Sequence, residues 1–474
     1  MTNSLKNKYS LLPFRFDRIN DKEIIVNEVG DYLIVPNGTS QRIVDREINE
    51  NEELFKDLIT NFFISDTSIP ILIDNLATRY RTKKSFLDNF TSLHIFVLTL
   101  RCNQNCIYCQ ATSKVSEQND YDMSFETLDY AINHMFQSPS PYLTMEFQGG
   151  EPTLVYDKLQ YAIEKAEQIN SIQKRTITYV LCTNSVNLSD KILSICKQYK
   201  VLISTSLDGP EFIHNHNRGK TDSYQKVLKG ISLARQELGH DSVSALMTTS
   251  NFSLDYPKEI IDSYIENGFS NIFLRSLNPY GLAFNIEDWI SYNQSFILFY
   301  KQALDYIIEI NKKGIFFEES FTCLLLKKIL TPFPIGFVDL QSPAGIINSV
   351  IVYNYDSYVY ASDESRMLAE HGDFTFRLGS IKESYNNIFY GKKALNIART
   401  WSNEALAGCS DCAYQAYCGA DPVRNYTAQN DLEGFRPNSL FCKKNKEIIE
   451  HIFSLLINKN DEVVPIFKKW IQKT

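Results

Sequence analysis

From residue 92 to about residue 280 the chain alternates between two hydrophobic periods. Short apolar blocks of strand-forming residues recur as "LHIFVLTL", "YLTMEF", "TITYVLCT", "VLISTSL", "SVSALMTTS" and "NIFLRSL". Between them, apolar positions return every three to four residues in stretches such as "SFETLDYAINHMF", "LVYDKLQYAIEKAEQI" and "YPKEIIDSYIENG". The blocks predict strands, and the longer period predicts amphipathic helices. Six strand blocks separated by helices predict an α/β fold with parallel strands joined by right-handed crossovers. An open doubly wound sheet and a partial barrel both satisfy that pattern.

The flanks follow other patterns. "KEIIVNEVGDYLIVP" holds two β-rich runs around Asn27–Asp31, which predicts a hairpin. Helical periods follow in "NEELFKDLITNFF" and "IPILIDNLATRYRTKKSFLDNF", so the first ninety residues form a small α+β unit. Residues 281–400 are less regular, with a helical run in "FILFYKQALDYIIEINKKG" and a hairpin pattern in "INSVIVYNYDSYVYASD". A second cysteine group follows residue 400, and "KEIIEHIFSLLI" predicts a closing helix.

Composition narrows the classes. A chain of 474 residues is long enough for several domains. Its net charge of −8 opposes a nucleic-acid partner held by a general positive field. No run approaches the ~18 apolar residues of a membrane span, and no leader pattern opens the chain, so the expectation is a cytoplasmic protein with no membrane contact. Thiols there stay reduced, and clustered cysteines bind metal or act in catalysis more often than they cross-link.

"LTLRCNQNCIYCQAT" places Cys102, Cys106 and Cys109 just after the first strand block. Active sites of barrels and open α/β sheets lie at that end of the strands. Three thiolates serve an open zinc site or a four-iron cluster with one iron free, and CxxxCxxC spacing favours the cluster. Further polar motifs end the next strands. In "MEFQGGEPTL", Gly149 and Gly150 leave room for a ligand to approach the backbone, and Glu151 supplies a carboxylate. "CTNS" brings Asn184, and "SLDGPEFIHNHNRGK" brings Ser206, Asp208 and Arg218, the last suited to clamp a carboxylate. Asn184 and Asp208 are also turn formers, and His214 and His216 read as loop residues.

Together these motifs resemble the radical S-adenosylmethionine (SAM) enzymes, in particular the peptide-modifying branch that includes the anaerobic sulfatase maturases. The resemblance covers roughly residues 92–450 and implies a partial (β/α)6 barrel. It implies a [4Fe-4S] cluster on Cys102, Cys106 and Cys109 whose free iron binds SAM. Tyr108, Gly150, Ser206, Arg218 and Leu277 match SAM-contacting positions, with Gly149, Glu151 and Asn184 in the same motifs. The implied chemistry is one-electron cleavage of SAM and removal of a hydrogen atom from the substrate. The domain expectation becomes residues 1–90 as an N-terminal α+β domain and candidate peptide-recognition element, 91–285 as the radical SAM core, 286–400 as a connecting region with a hairpin and 401–474 as a cluster domain with a closing helix.

"GCSDCAYQAYCGADP" and "SLFCKKN" supply Cys409, Cys412, Cys418 and Cys442, a complete tetrahedral set that suits zinc or an iron–sulfur cluster. It resembles the C-terminal SPASM region of the same enzymes, which implies one auxiliary [4Fe-4S] cluster. The ligands of a second are missing: Ser362 and Pro422 stand where cysteines are expected. Cys182, Cys196 and Cys323 are then expected to be buried small hydrophobes. "LPFRFDRINDKEIIVNEVGDYLIV", "CIYCQATS" and "VYASDESRML" resemble maturases of His-Xaa-Ser repeat peptide systems. That implies a precursor peptide as substrate, a paired radical SAM maturase, and a flavodoxin or ferredoxin as electron donor. In related maturases an aspartate after the lost cysteine takes a proton from the substrate, and Asp363 matches it, with Glu364 beside it.

Overall fold

The computed structural model describes residues 9–66, 69–115, 117, 119–398 and 401–473. The first eight residues, read above for a leader, lie outside them. A three-stranded antiparallel sheet opens the chain: β1 (Phe14–Ile19), β2 (Lys22–Asn27) and β3 (Tyr32–Pro36). Its turn is built by Asn27, whose Oδ1 accepts the N–H groups of Val29 (2.9 Å) and Asp31 (3.0 Å). Helices α1 (Glu53–Thr60) and α2 (Ile69–Lys83) follow where the helical period predicts them.

The central sheet begins with β4 (Leu93–Thr99), β5 (Tyr142–Gly149), β6 (Thr176–Thr183), β7 (Leu202–Ser206) and β8 (Val243–Leu246), all parallel. Helices α3 (Phe125–Gln137), α4 (Tyr156–Gln173), α5 (Asp190–Tyr199), α6 (Glu211–Arg218) and α7 (Ser223–Leu238) provide the crossovers.

The sixth expected strand does not join this ladder. Within "NIFLRSL" only Asn271–Ile272 is a strand, and it pairs with Glu318–Glu319. The reason is where its backbone donors go. Leu274 N–H donates to Glu319 Oε1 (3.1 Å) and Leu277 N–H to Tyr292 Oη (2.7 Å), leaving one bridge, Thr249 to Ser276, toward the β8 end. The sheet grows instead at its other edge. β9 (Val350–Tyr353), from the region expected to be a connector, lies parallel to β4 with Val352 opposite Ile95. β10 (Tyr358–Tyr360) and β11 (Arg377–Ser380) continue antiparallel, giving the order β8-β7-β6-β5-β4-β9-β10-β11.

Side-chain alternation places the core on one face of this sheet. Phe96, Leu98, Phe147, Leu181 and Ile203 are buried against the helices, whereas Glu146, Gln148, Cys182, Ser204 and Ser206 point to the opposite, polar face. Helix α8 (Trp289–Lys312), helix α9 (Asp363–Ala369), and the closing pair α10 (Leu440–Asn458) and α11 (Asn460–Lys473) complete the part that bears on the site.

Candidate active site

The polar face of the sheet encloses a cavity of about 710 Å³. Cys102, Cys106 and Cys109 line one end, and Asp363 and Glu364 of α9 line another part of its wall. The cysteine loop is held from both sides. Gly150 N–H donates to Thr99 O (2.8 Å), and Glu151 N–H to Arg101 O (2.7 Å). A Cβ on Gly149, at φ +131°, would collide with the Thr99 carbonyl, and one on Gly150 with the Arg101 carbonyl. The glycine pair therefore allows a close backbone-on-backbone contact, and both glycines also line the cavity. On the other side, Asn105 and Ile107 N–H donate to Arg218 O (3.3 Å) and Asn217 O (3.0 Å) at the end of α6.

Asp208 is fully buried and organises this side. Its Oδ2 accepts Tyr108 Oη (2.6 Å) and Arg218 Nε (2.9 Å); its Oδ1 accepts Arg218 Nη2 (2.8 Å). Burial pushes the Asp208 carboxyl up, but Arg218 outweighs it and holds the group below the usual range. Arg218 thus spends two nitrogens on a protein carboxylate. Its Nη1 donates to Cys106 Sγ (3.7 Å), and Arg218 lines the cavity. The sequence marks Asp208 as a polar group at a strand end and equally as a turn former, but does not pair it with Tyr108 and Arg218. The missed signal is a carboxylate ten positions before an arginine in a motif that returns to the same strand end.

Other expected residues divide. Glu151 is sequestered: it accepts from Thr153 N–H (3.1 Å), Thr153 Oγ1 (2.7 Å), Thr183 Oγ1 (2.7 Å) and Asn184 N–H (2.7 Å), so it ties the ends of β5 and β6 and does not line the cavity. Asn184 lines it, with Nδ2 on Asn103 Oδ1 (2.7 Å) and 3.9 Å from Cys102 Sγ. Ser206 also lines it. Leu277 is a core residue outside the cavity lining. His214 is buried, with Nδ1 accepting the Asp208 N–H (3.3 Å) and Nε2 3.0 Å from Ser223 Oγ, and His216 is exposed against Phe252; neither reaches the cavity. Cys196 and Cys323 are buried as expected. Cys182 is not: it lines the cavity and hydrogen-bonds Glu146, because it falls on the polar side of β6.

Asp363 is the first residue of α9 and pairs with Arg366 (2.7 Å), which also donates to Ala111 O (3.0 Å) just past Cys109. Glu364 is pushed up to about 7 by burial and by the charges of Asp339, Asp363 and Asp421.

The sequence model of the radical SAM superfamily matches residues 96–275. That segment is a radical SAM region. The chain is 23% identical to a cysteine-type anaerobic sulfatase-maturating enzyme of Clostridium perfringens, over 75% of this chain and 95% of that one. It spans only 62% of the length of an uncharacterized protein of Methanocaldococcus jannaschii, at 27% identity over 39% of this chain. Among solved structures it resembles native anSMEcpe with bound AdoMet (TM-score 0.64, 21% identity, 79% of this chain and 100% of that one). It also resembles Streptococcus suis SuiB bound to its precursor peptide SuiA (TM-score 0.52, 12% identity, 91% and 99%). These likenesses carry the fold: a mixed α/β radical SAM architecture around a parallel sheet.

The radical SAM family implies a [4Fe-4S] cluster and SAM, and the residues fit both. Three thiols line one cavity, with the Arg218 Nη1 that donates to Cys106 Sγ and the Gly149–Gly150 backbone beside them. Burial pushes the Cys102 thiol up to about 12, so this sulfur becomes a thiolate only with a cationic partner. Among the described residues no group of three or more His, Cys, Asp or Glu is set to hold a single metal ion. The C-terminal thiols gather as well: Cys442 lies in the first turn of α10 and interacts electrostatically with Cys409, Cys412 and Cys418. Where cysteines were expected, Ser362 caps α9 in a capping box with Ser365, and Pro422 opens the helix Pro422–Gln429.

Proposed function

We propose that this radical SAM enzyme, related to the sulfatase maturases, modifies a ribosomally made precursor peptide of the His-Xaa-Ser kind. The observation that carries this reading is the cavity. Its ~710 Å³ lies in the upper part of the usual range for ligand sites and gives room for a cofactor and a substrate side chain together. The cysteine triplet and the α9 carboxylates face that same space. SuiB, a neighbour in fold, is a precursor-peptide-binding protein by its own description. When bound, the cluster and SAM supply hydrogen-atom abstraction.

The chain's own residues then have distinct tasks. Gly149, Gly150, Asn184, Ser206 and the Nη1 edge of Arg218 hold SAM. Tyr108 acts through Asp208 to keep that edge oriented. Asp363 takes the substrate proton. Cys409, Cys412, Cys418 and Cys442 hold one auxiliary [4Fe-4S] cluster. The reductant is a flavodoxin or ferredoxin, and a paired maturase and a cytoplasmic setting complete the reading. No helix among the described residues is long and apolar enough to cross a membrane. A second reading, oxidation of a Cys or Ser side chain as in the sulfatase maturases, draws on the 95% coverage of the Clostridium enzyme.

Anaerobic reconstitution should give about eight irons per chain, four for each cluster. Replacing Cys102, Cys106 and Cys109 together by Ala should leave about four and abolish SAM cleavage. SAM cleavage by the triple variant would overturn the assignment, and about four irons with one zinc in the wild type would make the C-terminal site a zinc ribbon. The mass change of the peptide separates a formylglycine from a crosslink.

A further inference from the structure

A side chamber of about 50 Å³ adjoins the main cavity and shares Phe273, Arg275, Phe337, Asp339 and Glu364 with its lining. By this measure a water needs about 10–15 Å³, so the chamber holds a group of several heavy atoms. Arg275, Arg424 and Lys444 line it together with Asp339, Glu364 and Asp421. Yet among the described residues none of the six forms an ion pair within 4.0 Å.

Their remaining contacts are few. Lys444 Nζ donates to Ser276 Oγ (3.1 Å), and the Lys444 and Arg424 head groups lie over the Phe441 ring at 5.9 and 5.5 Å. Asp421 Oδ1 caps the next helix through Arg424 N–H (2.9 Å). Asn445, only 3% exposed, leaves its Oδ1 without a partner. Opposite charges held in one enclosure without touching are a poor arrangement unless something bridges them.

The lining is balanced, three basic side chains against three acidic ones. It therefore favours no net charge. It is complementary to a neutral group that accepts on one edge and donates on another. Phe273 and Phe337, with ring centroids 5.5 Å apart, add an apolar wall against which a planar group can pack.

We propose that this chamber is a specificity subsite for the substrate, and that it takes a neutral planar side chain with both donor and acceptor, a carboxamide or an imidazole. The proposal rests on the peptide-modifying reading of the main cavity. Titration calorimetry of the reconstituted protein with N-acetylglutaminamide and N-acetylhistidinamide tests it, against the leucine, lysine and glutamate analogues. The first two should bind at least about tenfold more tightly than the other three. Lys444→Met and Glu364→Leu should each weaken them by about tenfold while iron content stays at the wild-type level; if either loses iron, Arg424→Met replaces it. Equal binding of the leucine and glutamine probes, no binding of either, or binding indifferent to the variants would overturn the subsite. SAM cleavage and iron content are measured separately, so a protein that cleaves SAM and ignores the probes sinks the subsite alone.

Discussion

Asp363 holds a buried cation in place. Arg366 is 1% exposed and lies between the Asp363 carboxylate and the Ala111 carbonyl. Removing one partner of such a pair costs about 3–5 kcal/mol, so Asp363→Ala would confuse folding with function. Asp363→Asn keeps an acceptor toward Arg366 and removes only the base. It should hold its iron and cleave SAM without peptide, yet yield no modified peptide. Modification at the wild-type rate would move the role to Glu364. That neighbour also makes a pH prediction. Glu364 faces Asp339, Asp363 and Asp421, with Arg275 the opposing charge. Its folded pKa of about 7 lies above its ordinary value of 4.5. Below both values the group costs nothing. Between them the folded protein keeps a proton that the unfolded chain has released, so stability falls as pH rises through that window. Glu364→Gln should flatten the fall in melting temperature between about pH 5 and pH 8. An unchanged slope would mean that the carboxyl already ionises freely in the fold.

The hairpin strand β9 carries a larger claim, because it joins a sheet that the helical and strand periods alone do not assign to it. Ile351 is fully buried on the core side, opposite His94. Ile351→Ala should cost about 2–5 kcal/mol in denaturant unfolding followed by far-ultraviolet circular dichroism. A change below about 1 kcal/mol would mean that β9 is only loosely attached to the sheet. The limits of the sequence show here in physical terms. Five parallel strands and both hairpins were legible because periodicity is local. The pairing of β9 with β4 was not, since the partners lie more than 250 residues apart. "NIFLRSL" misled because its apolar period is that of a strand, while its N–H groups are taken by Glu319 and Tyr292. At the site, the cysteine spacing was legible outright. Cys182 was misread because one thiol in an apolar block looks like core until the alternation of β6 turns it inward. Glu151 and Asp208 were legible as carboxylates at strand ends, but which of them meets solvent is decided by hydrogen bonds across the chain.

At the scale of the whole molecule, the two ends of the described chain meet. Tyr417 Oη donates to Gly30 O (2.9 Å), the Tyr32 ring meets Phe453 edge-on at 5.2 Å, and Lys446 pairs with Asp17 (2.9 Å). Arg15 Nε donates to the carbonyl of Ser410, inside the Cys409–Cys412 loop. Further along, Lys84 bonds Glu404 and the carbonyl of Ser342, while Lys83 donates to Lys328 O (3.2 Å). The first strands are thus packed on the loop and helix that carry the four C-terminal thiols. Two roles for the N-terminal sheet therefore make different predictions. If it is only a mobile reader of the peptide, a chain lacking residues 1–66 should bind both clusters as well as the full chain does. If it braces the auxiliary site, the same truncation strips cover from Tyr417 and Phe453 and frees the 409–412 loop. The contacts favour the second. The truncated chain should retain about four irons, at Cys102, Cys106 and Cys109, and lose about four from the C-terminal set. SAM cleavage should persist, because the cysteine triplet is clamped by β5 and α6 and, among the described residues, takes no backbone hydrogen bond from the first sheet. Retention of about eight irons would overturn the bracing role and return the sheet to peptide recognition alone.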